Sequence, residues 1–188
     1  MKPLVFLDVD GVINDIGSLY GGHRDFAVYF VKSHGHTVHI PEYMPQLIQK
    51  LTENCEVHWL TTWRERANDE IVEALGIDPL PVVTDGSMER TTSWKTGAAF
   101  PIALKALKEG REVWWIEDFY KFIPTHEMPR GVKYVDTAAI SNKPVLLPMM
   151  MPKHLIGDAE IPESRFGEPV PKHAGIFKGA LQRMFGLL

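Results

Sequence analysis

Two aspartates separated by one residue follow a short apolar run near the amino terminus. Asp8 and Asp10 come after Leu4–Leu7 and are followed by Gly11, which predicts a tight turn at the end of a buried strand. One carboxylate can attack phosphorus and carry a covalent phosphoryl group, and a second one nearby can transfer a proton. The spacing therefore favours phosphoryl transfer, with Asp8 as nucleophile and Asp10 as general acid and base.

Two further polar pairs follow later apolar runs. Thr61 and Thr62 come after one run, and Glu117 and Asp118 come after another. Acids from distant strands can complete a site for Mg²⁺, which prefers carboxylates, water and phosphate oxygens. Each pair taken alone is equally well explained as a helix cap or turn. Their recurrence at strand ends is what indicates a site.

A phosphate ester also needs hydrogen-bond donors and a positive charge. Thr61 and Lys95 are the candidates for these roles, although Lys105 or Lys108 competes with Lys95 if the preceding loop folds differently. Thr62 and Arg64 are candidate substrate-binding residues. The alternative for Arg64 is a solvated charge at the start of a helix.

Strands that alternate with helices must position these residues. The pattern predicts a three-layer, Rossmann-like α/β fold with a mainly parallel sheet, helices on both faces and a small β-hairpin flap within residues 25–40. Ligands of such sheets lie beyond the carboxyl ends of the strands. The predicted strands are 4–7, 57–60, 113–116, 132–135 and 145–147, with a short one at 82–83, and the predicted helices are 41–54, 65–75 and 96–109.

Composition and charge are those of an ordinary globular chain. The 188 residues are 45% hydrophobic and 23% charged, with a formal net charge of -4, which argues against a broad nucleic-acid or membrane-binding surface. Residues 1–150 form the predicted catalytic domain, and residues 151–188 form a Pro-rich tail that ends in an amphipathic helix and is expected to pack on the domain. The single cysteine, Cys55, is expected to be buried. We expect a cytoplasmic protein, since the first apolar run ends at Asp8.

The polar pairs together resemble the motifs of the haloacid dehalogenase superfamily. Asp8-Val9-Asp10-Gly11-Val12 looks like the first motif, Trp59-Leu60-Thr61 the second, Lys95 the third and Trp115-Ile116-Glu117-Asp118 the fourth. The four occur in the family's order between residues 4 and 118. The resemblance implies a magnesium-dependent phosphatase that forms an aspartyl phosphate on Asp8. Its metal ligands would be Asp8, the backbone carbonyl of Asp10 and an acid of the fourth motif.

The fourth motif departs from the usual pattern, because it reads Glu-Asp where many members have Asp-Asp or Gly-Asp. Asp118 is the favoured direct ligand, with Glu117 acting behind it or through water. The segments that carry cap domains in this superfamily are short here, which predicts an open site. A weaker resemblance to small capless proteins of nucleic-acid end repair suggests a phosphorylated small molecule or a nucleic-acid end as the partner.

Several alternatives remain open at the level of sequence. Trp63 and Trp94 are interpreted as packing residues, with base stacking as the alternative. His34, His36 and His39 are interpreted as exposed flap residues rather than zinc ligands. The rival functions are a non-catalytic or regulatory phosphate- or nucleotide-binding protein, and a phosphomutase or phosphotransferase. The sequence does not indicate an oligomeric state.

Overall fold

The computed structural model describes residues 1–16, 28–33, 36–86, 94–118, 125–139 and 145–159. The strands are β1 (Leu4–Leu7), β2 (Val28–Ser33), β3 (His36–Pro41), β4 (Glu56–Trp59), β5 (Val113–Glu117) and β6 (Val132–Asp136). The helices are α1 (Met44–Asn54), α2 (Arg66–Glu70), α3 (Val72–Leu75), α4 (Trp94–Lys108) and α5 (Lys153–Ile156), with 3₁₀ turns at Thr125–Glu127 and Pro148–Met150.

Four strands form one parallel sheet in the order β4-β1-β5-β6. The register places Leu7 beside Trp59 on one side and Ile116 on the other, so the carboxyl ends of the three strands lie together. A parallel sheet with helical connections is an α/β fold, as the alternation of strands and helices predicts. The central position of β1 places the turn after it in the middle of one sheet edge.

The apolar residues of β1 explain why this strand is central. Val5 and Leu7 belong to one buried cluster, which includes the apolar face of α1, whereas Leu4 and Phe6 belong to a second cluster around α4. Alternate residues of a strand point to opposite faces, so all four side chains are buried. Burial of each such side chain contributes about 1.5–3 kcal/mol.

Local signals in the sequence set the helix boundaries. Pro45 lies in the first turn of α1, where its missing N–H costs nothing, and Gly76 closes α3 in a left-handed conformation with a φ of 65°. The predicted helix 65–75 is interrupted at Ile71, which separates α2 from α3. Cys55 is buried and free, as expected, and burial raises the pKa of its thiol to about 11.

Strands β2 and β3 pair in an antiparallel manner, from Val28 beside Pro41 to Ser33 beside His36. The intervening turn, including the predicted flap residue His34, lies outside the described residues. The expectation that His39 is exposed is wrong, because this residue of β3 is buried and its backbone N–H donates to the amide oxygen of Asn14 at 2.9 Å. The prediction of a strand at 145–147 is wrong. Leu146 donates its N–H to the carbonyl of Val12 at 2.9 Å, so this apolar segment is buried against the loop after β1 instead of a strand.

The predicted strand at 82–83 is reduced to a bridge between Trp59 and Val82 beside β4. Of the predicted tail, residues 151–159 are described, and Leu155 and Ile156 of α5 belong to the same buried cluster as α1. The predicted terminal helix lies outside the described residues. Within the described residues, no helix has the length and apolar character needed to cross a membrane.

Candidate functional site

Three of the residues selected from the sequence meet at the carboxyl edge of the parallel sheet. Asp8 follows β1 and donates its N–H to Ile116 at 3.2 Å, while Leu60, just before Thr61, donates to Leu7 at 2.9 Å. These ladder bonds bring the ends of β4, β1 and β5 together. Asp8, Thr61 and Glu117 are consequently all buried at one point, as the strand-end pattern predicts.

The first turn of α4 supplies the positive charge. The ammonium of Lys95 lies 2.9 Å from Oδ2 of Asp8 and 2.6 Å from Oε2 of Glu117, and its side chain is fully buried. Lys105 and Lys108, the alternatives on the same helix, are exposed. Only Lys95 among these three lysines therefore contacts the acids.

Burial and neighbouring charges shift the pKa values of Asp8 and Glu117, the two acids that contact Lys95, in opposite directions. Burial raises the pKa of Asp8, but Lys95, Glu117 and the Thr61 hydroxyl together lower it below its ordinary value. Burial and the charge of Asp8 raise the pKa of Glu117 well above its ordinary value despite Lys95. Lys95 itself loses hydration, yet the two carboxylates raise its pKa. Asp8 is thus held as the carboxylate of this cluster.

Asp118 lies against the turn that follows Asp8. A methyl group added to Gly11 would come within 2.1 Å of Oδ2 of Asp118, so only glycine allows this close approach. Gly11 also has a φ of 70°, which favours glycine independently. Burial and the charge of Asp8 raise the pKa of Asp118 to about 6.

Asp8, Glu117 and Asp118 each place one carboxylate oxygen within 4.8 Å of the other two. In addition, Oε1 of Glu117 is buried and has no hydrogen-bond partner among the described residues. An unsatisfied buried oxygen costs about 1–3 kcal/mol, and a water molecule on a divalent cation would satisfy it while the cation relieves the surplus negative charge. The donor set therefore fits a hard cation such as Mg²⁺.

Asp10, two residues after Asp8, has hydrogen-bond partners of its own. Its Oδ1 accepts a hydrogen bond from Nδ2 of Asn14 at 2.8 Å, and its Oδ2 accepts one from the indole N–H of Trp63 at 2.8 Å. Asp10 is half-buried, unlike Asp8. Its carboxylate is separate from the group of three acids, so the predicted contribution of Asp10 to a metal site rests on its backbone carbonyl.

The two predicted substrate-binding residues lie in the turn after β4. Thr62 is exposed, whereas the guanidinium of Arg64 donates to Oγ1 of Thr84 at 2.5 Å and stacks on the ring of Trp94 at 4.5 Å. Arg64 also has a φ of 53°, which is uncommon for a residue with a side chain. Oδ1 of Asp85 lies 3.5 Å from the same guanidinium, so Arg64 has a negatively charged neighbour besides Thr84 and Trp94.

Three residues of the site were missed by sequence reasoning. Asn14 and Trp63 bind Asp10, and Thr137 donates its hydroxyl to the carbonyl of Gly11 at 2.6 Å. The N–H of Thr137 also donates to the carbonyl of Glu117 at 3.0 Å. A threonine just after a strand was the available signal for Thr137, because Thr61 was selected on the same ground.

Comparison of the chain with family models, with curated proteins and with solved structures finds no match.

Proposed function

We propose that this protein is a magnesium-dependent phosphohydrolase of the haloacid dehalogenase type, in which Asp8 forms an aspartyl phosphate. The observation that carries the proposal is the buried Asp8 carboxylate at the end of the central strand, paired with Lys95 at 2.9 Å and adjacent to Asp118. Asp10, two residues later, supplies a second carboxyl group that is separate from this cluster. The four sequence motifs described above support the same function.

In the proposed first step, an oxygen of Asp8 forms a bond to phosphorus as the ester P–O bond breaks. The departing oxygen leaves with its bonding electron pair and receives a proton from the Asp10 carboxyl group. In the second step, the oxygen of a water molecule attacks phosphorus and gives a proton to Asp10. The bond to Asp8 then breaks, which releases inorganic phosphate and restores both side chains.

The remaining site residues orient groups and balance charge in this scheme. Mg²⁺ would be held by Asp8, Asp118 and the carbonyl of Asp10, with Glu117 behind them, and when bound it neutralises charge on the phosphoryl group. Lys95 holds Asp8 in its ionised form, and the Thr61 hydroxyl hydrogen-bonds to Asp8. The exposed hydroxyl of Thr62 is available to the substrate, and Arg64 would act at the rim of the site.

The finer features of the fold belong to the same proposal. We infer the three-layer, Rossmann-like arrangement from the parallel sheet and the two apolar clusters packed on it, and we infer that β2 and β3 form a flap. We also propose that the protein is cytoplasmic and acts on a phosphorylated small molecule or a nucleic-acid end.

Hydrolysis of 4-nitrophenyl phosphate near neutral pH tests the proposal. We expect turnover with Mg²⁺, loss of turnover with excess EDTA, and loss in Asp8→Asn, because an amide keeps the shape of the side chain but lacks the charge needed for attack. Asp69→Asn, which alters an exposed acid of α2, is the matched control and should retain full activity.

The outcomes distinguish the proposal from its rivals. Undiminished activity in EDTA, or near wild-type rates in Asp8→Asn, would reject the mechanism. Phosphate binding without turnover would favour the non-catalytic alternative, and transfer to an added alcohol or sugar in preference to water would favour a phosphotransferase. A panel of nucleotides, sugar phosphates and 3'- or 5'-phosphorylated oligonucleotides then identifies the substrate class.

A further inference from the structure

The carboxylate of Asp10 accepts a hydrogen bond from a side-chain nitrogen at each of its two oxygens. Asn14 donates to Oδ1 through its amide nitrogen, and Trp63 donates to Oδ2 through its indole nitrogen, each at 2.8 Å. Two donors on opposite oxygens fix the plane of the carboxyl group and leave one lone pair on each oxygen. The directions of these two remaining lone pairs decide whether a proton on Asp10 faces the departing oxygen of the substrate.

The two donors are anchored in different parts of the fold. Asn14 lies in the same turn as Asp10, and its amide oxygen accepts the N–H of His39 at 2.9 Å. Trp63 lies in the turn after β4, where its backbone N–H donates to the Thr61 hydroxyl at 3.3 Å. Trp63 therefore connects the Asp10 carboxyl group to the strand end that carries Thr61.

We propose that the indole N–H of Trp63 positions Asp10 as the general acid, a role that rests on the proposed phosphohydrolase function. An indole has one donor and no acceptor, so it neither removes the proton of Asp10 nor competes with the departing oxygen for it. Precise placement of a proton donor accelerates reactions mainly when the leaving group needs protonation. Trp63 is accordingly a positioning residue and not a catalytic one.

The chain contains a matched control for this contact. The indole N–H of Trp114 donates to Oε2 of Glu112 at 2.9 Å, and the ammonium of Lys133 lies 4.8 Å from the ring centre. Trp63 has the same pattern, with its carboxylate partner at 2.8 Å and the guanidinium of Arg66 at 5.2 Å. Both side chains are half-buried. Trp114 belongs to β5, and neither of these two contacts involves a site acid.

The test compares Trp63→Phe with Trp114→Phe on a series of aryl phosphates whose leaving groups range from 4-nitrophenol to phenol. Phenylalanine retains an aromatic ring and removes the N–H. We expect Trp63→Phe to lower kcat for phenyl phosphate by about tenfold and kcat for 4-nitrophenyl phosphate by less than about twofold. Trp114→Phe should leave the dependence on the leaving group unchanged. Urea unfolding of each variant provides the measure of folding.

Each result bears on the inference. A steeper dependence on leaving-group pKa in Trp63→Phe alone supports it. Equal losses across the series, or the same change in Trp114→Phe, would overturn the role of Trp63 while leaving the proposed function in place. An inactive wild-type enzyme over the whole series would overturn the proposed function, and the role of Trp63 with it. If Trp63→Phe is unfolded, Asn14→Ala removes the opposite donor and must show the same selective loss.

Discussion

Lys95 is the residue on which the charge balance of the site depends. Its ammonium is fully buried and contacts Asp8 and Glu117, both of which are themselves buried. Such a cluster is costly to desolvate, so its presence is weak evidence for stability by itself. Removal of the Lys95 ammonium destabilises the folded state, because it leaves a buried carboxylate without a partner.

We therefore expect Lys95→Met to lower the free energy of unfolding by about 3–5 kcal/mol, as when one partner of a buried ion pair is removed. Urea denaturation at neutral pH gives the measurement. Lys105→Met serves as the control, since its side chain is 80% exposed and lies 4.0 Å from Glu109. A loss no larger than in Lys105→Met would show that the pairing of Lys95 does not matter for folding.

The adjacent acids Glu117 and Asp118 differ in their surroundings. Glu117 is buried and its Oε2 is occupied by Lys95, whereas Asp118 is half-buried and lies against Gly11. We expect Asp118→Asn to raise the Mg²⁺ concentration for half-maximal rate more than Glu117→Gln does. Magnesium titrations of both variants provide the measurement. A larger effect for Glu117→Gln would exchange the roles of the two acids.

The pKa of Asp118 also gives Mg²⁺ binding a pH dependence. Since burial and Asp8 raise this pKa to about 6, protons compete with the cation below that pH. We expect the dissociation constant measured by calorimetry to rise about tenfold for each pH unit below 6 as Asp118 is protonated. Calorimetry at pH 7.5 and 5 measures the change. Asp118→Asn should show a much smaller pH dependence than the wild type.

At the scale of elements, Thr137 joins the turn after β1 to the end of β5. Its hydroxyl binds the carbonyl of Gly11 at 2.6 Å and its N–H binds the carbonyl of Glu117 at 3.0 Å. Asp10 directly precedes Gly11 in the sequence, and Asp118 directly follows Glu117. The hydroxyl of Thr137 therefore controls the separation of two predicted sources of metal ligands.

Thr137→Val keeps the shape of the side chain and removes the hydroxyl. We expect it to lower the free energy of unfolding by about 1 kcal/mol and to weaken Mg²⁺ binding severalfold. Thr52→Val is the control, because Thr52 donates to the carbonyl of Gln49 at 2.9 Å in α1, away from the site. Calorimetry and urea unfolding separate the two effects. Equal Mg²⁺ affinity in both variants would contradict a role for Thr137 in the metal site.

At the scale of the whole molecule, burial of the Asp118 carboxylate opposes folding until a cation binds. The folded pKa of Asp118, about 6, exceeds its ordinary value of 3.8, so the folded state binds more protons between these values and stability falls as pH rises through them. Asp118 is partly solvent-screened, and its cost above pH 6 is on the order of 1 kcal/mol. A ligand that binds only the folded state offsets this cost.

Magnesium should accordingly raise the Tm of the wild type more at pH 7.5 than at pH 5, and EDTA should reverse the increase. Without metal at pH 7.5, Asp118→Asn should be more stable than the wild type, since the substitution removes the buried charge. Differential scanning calorimetry with and without Mg²⁺ measures both effects. An equal increase in Tm for the wild type and Asp118→Asn would place the cation elsewhere.

The sequence by itself determined the α/β class and the strand-end position of Asp8, Thr61 and Glu117. An apolar run that ends in a polar turn is a local signal, and parallel strands bring their carboxyl ends to one edge. The place of Lys95 in the site could be stated only as a preference over Lys105 and Lys108, because the sequence does not show how the loop before the helix folds.

Tertiary structure alone decided the contacts between loops that are distant along the chain. Trp63 meets Asp10 across 53 positions and Thr137 meets Gly11 across 126 positions. No periodicity or spacing encodes such pairs, since they depend on strand order and on the paths of separate turns. Residues 145–147 have the apolar pattern of a strand, but they pack on the loop after β1. The neighbours that the folded chain provides decide how such an apolar segment is buried.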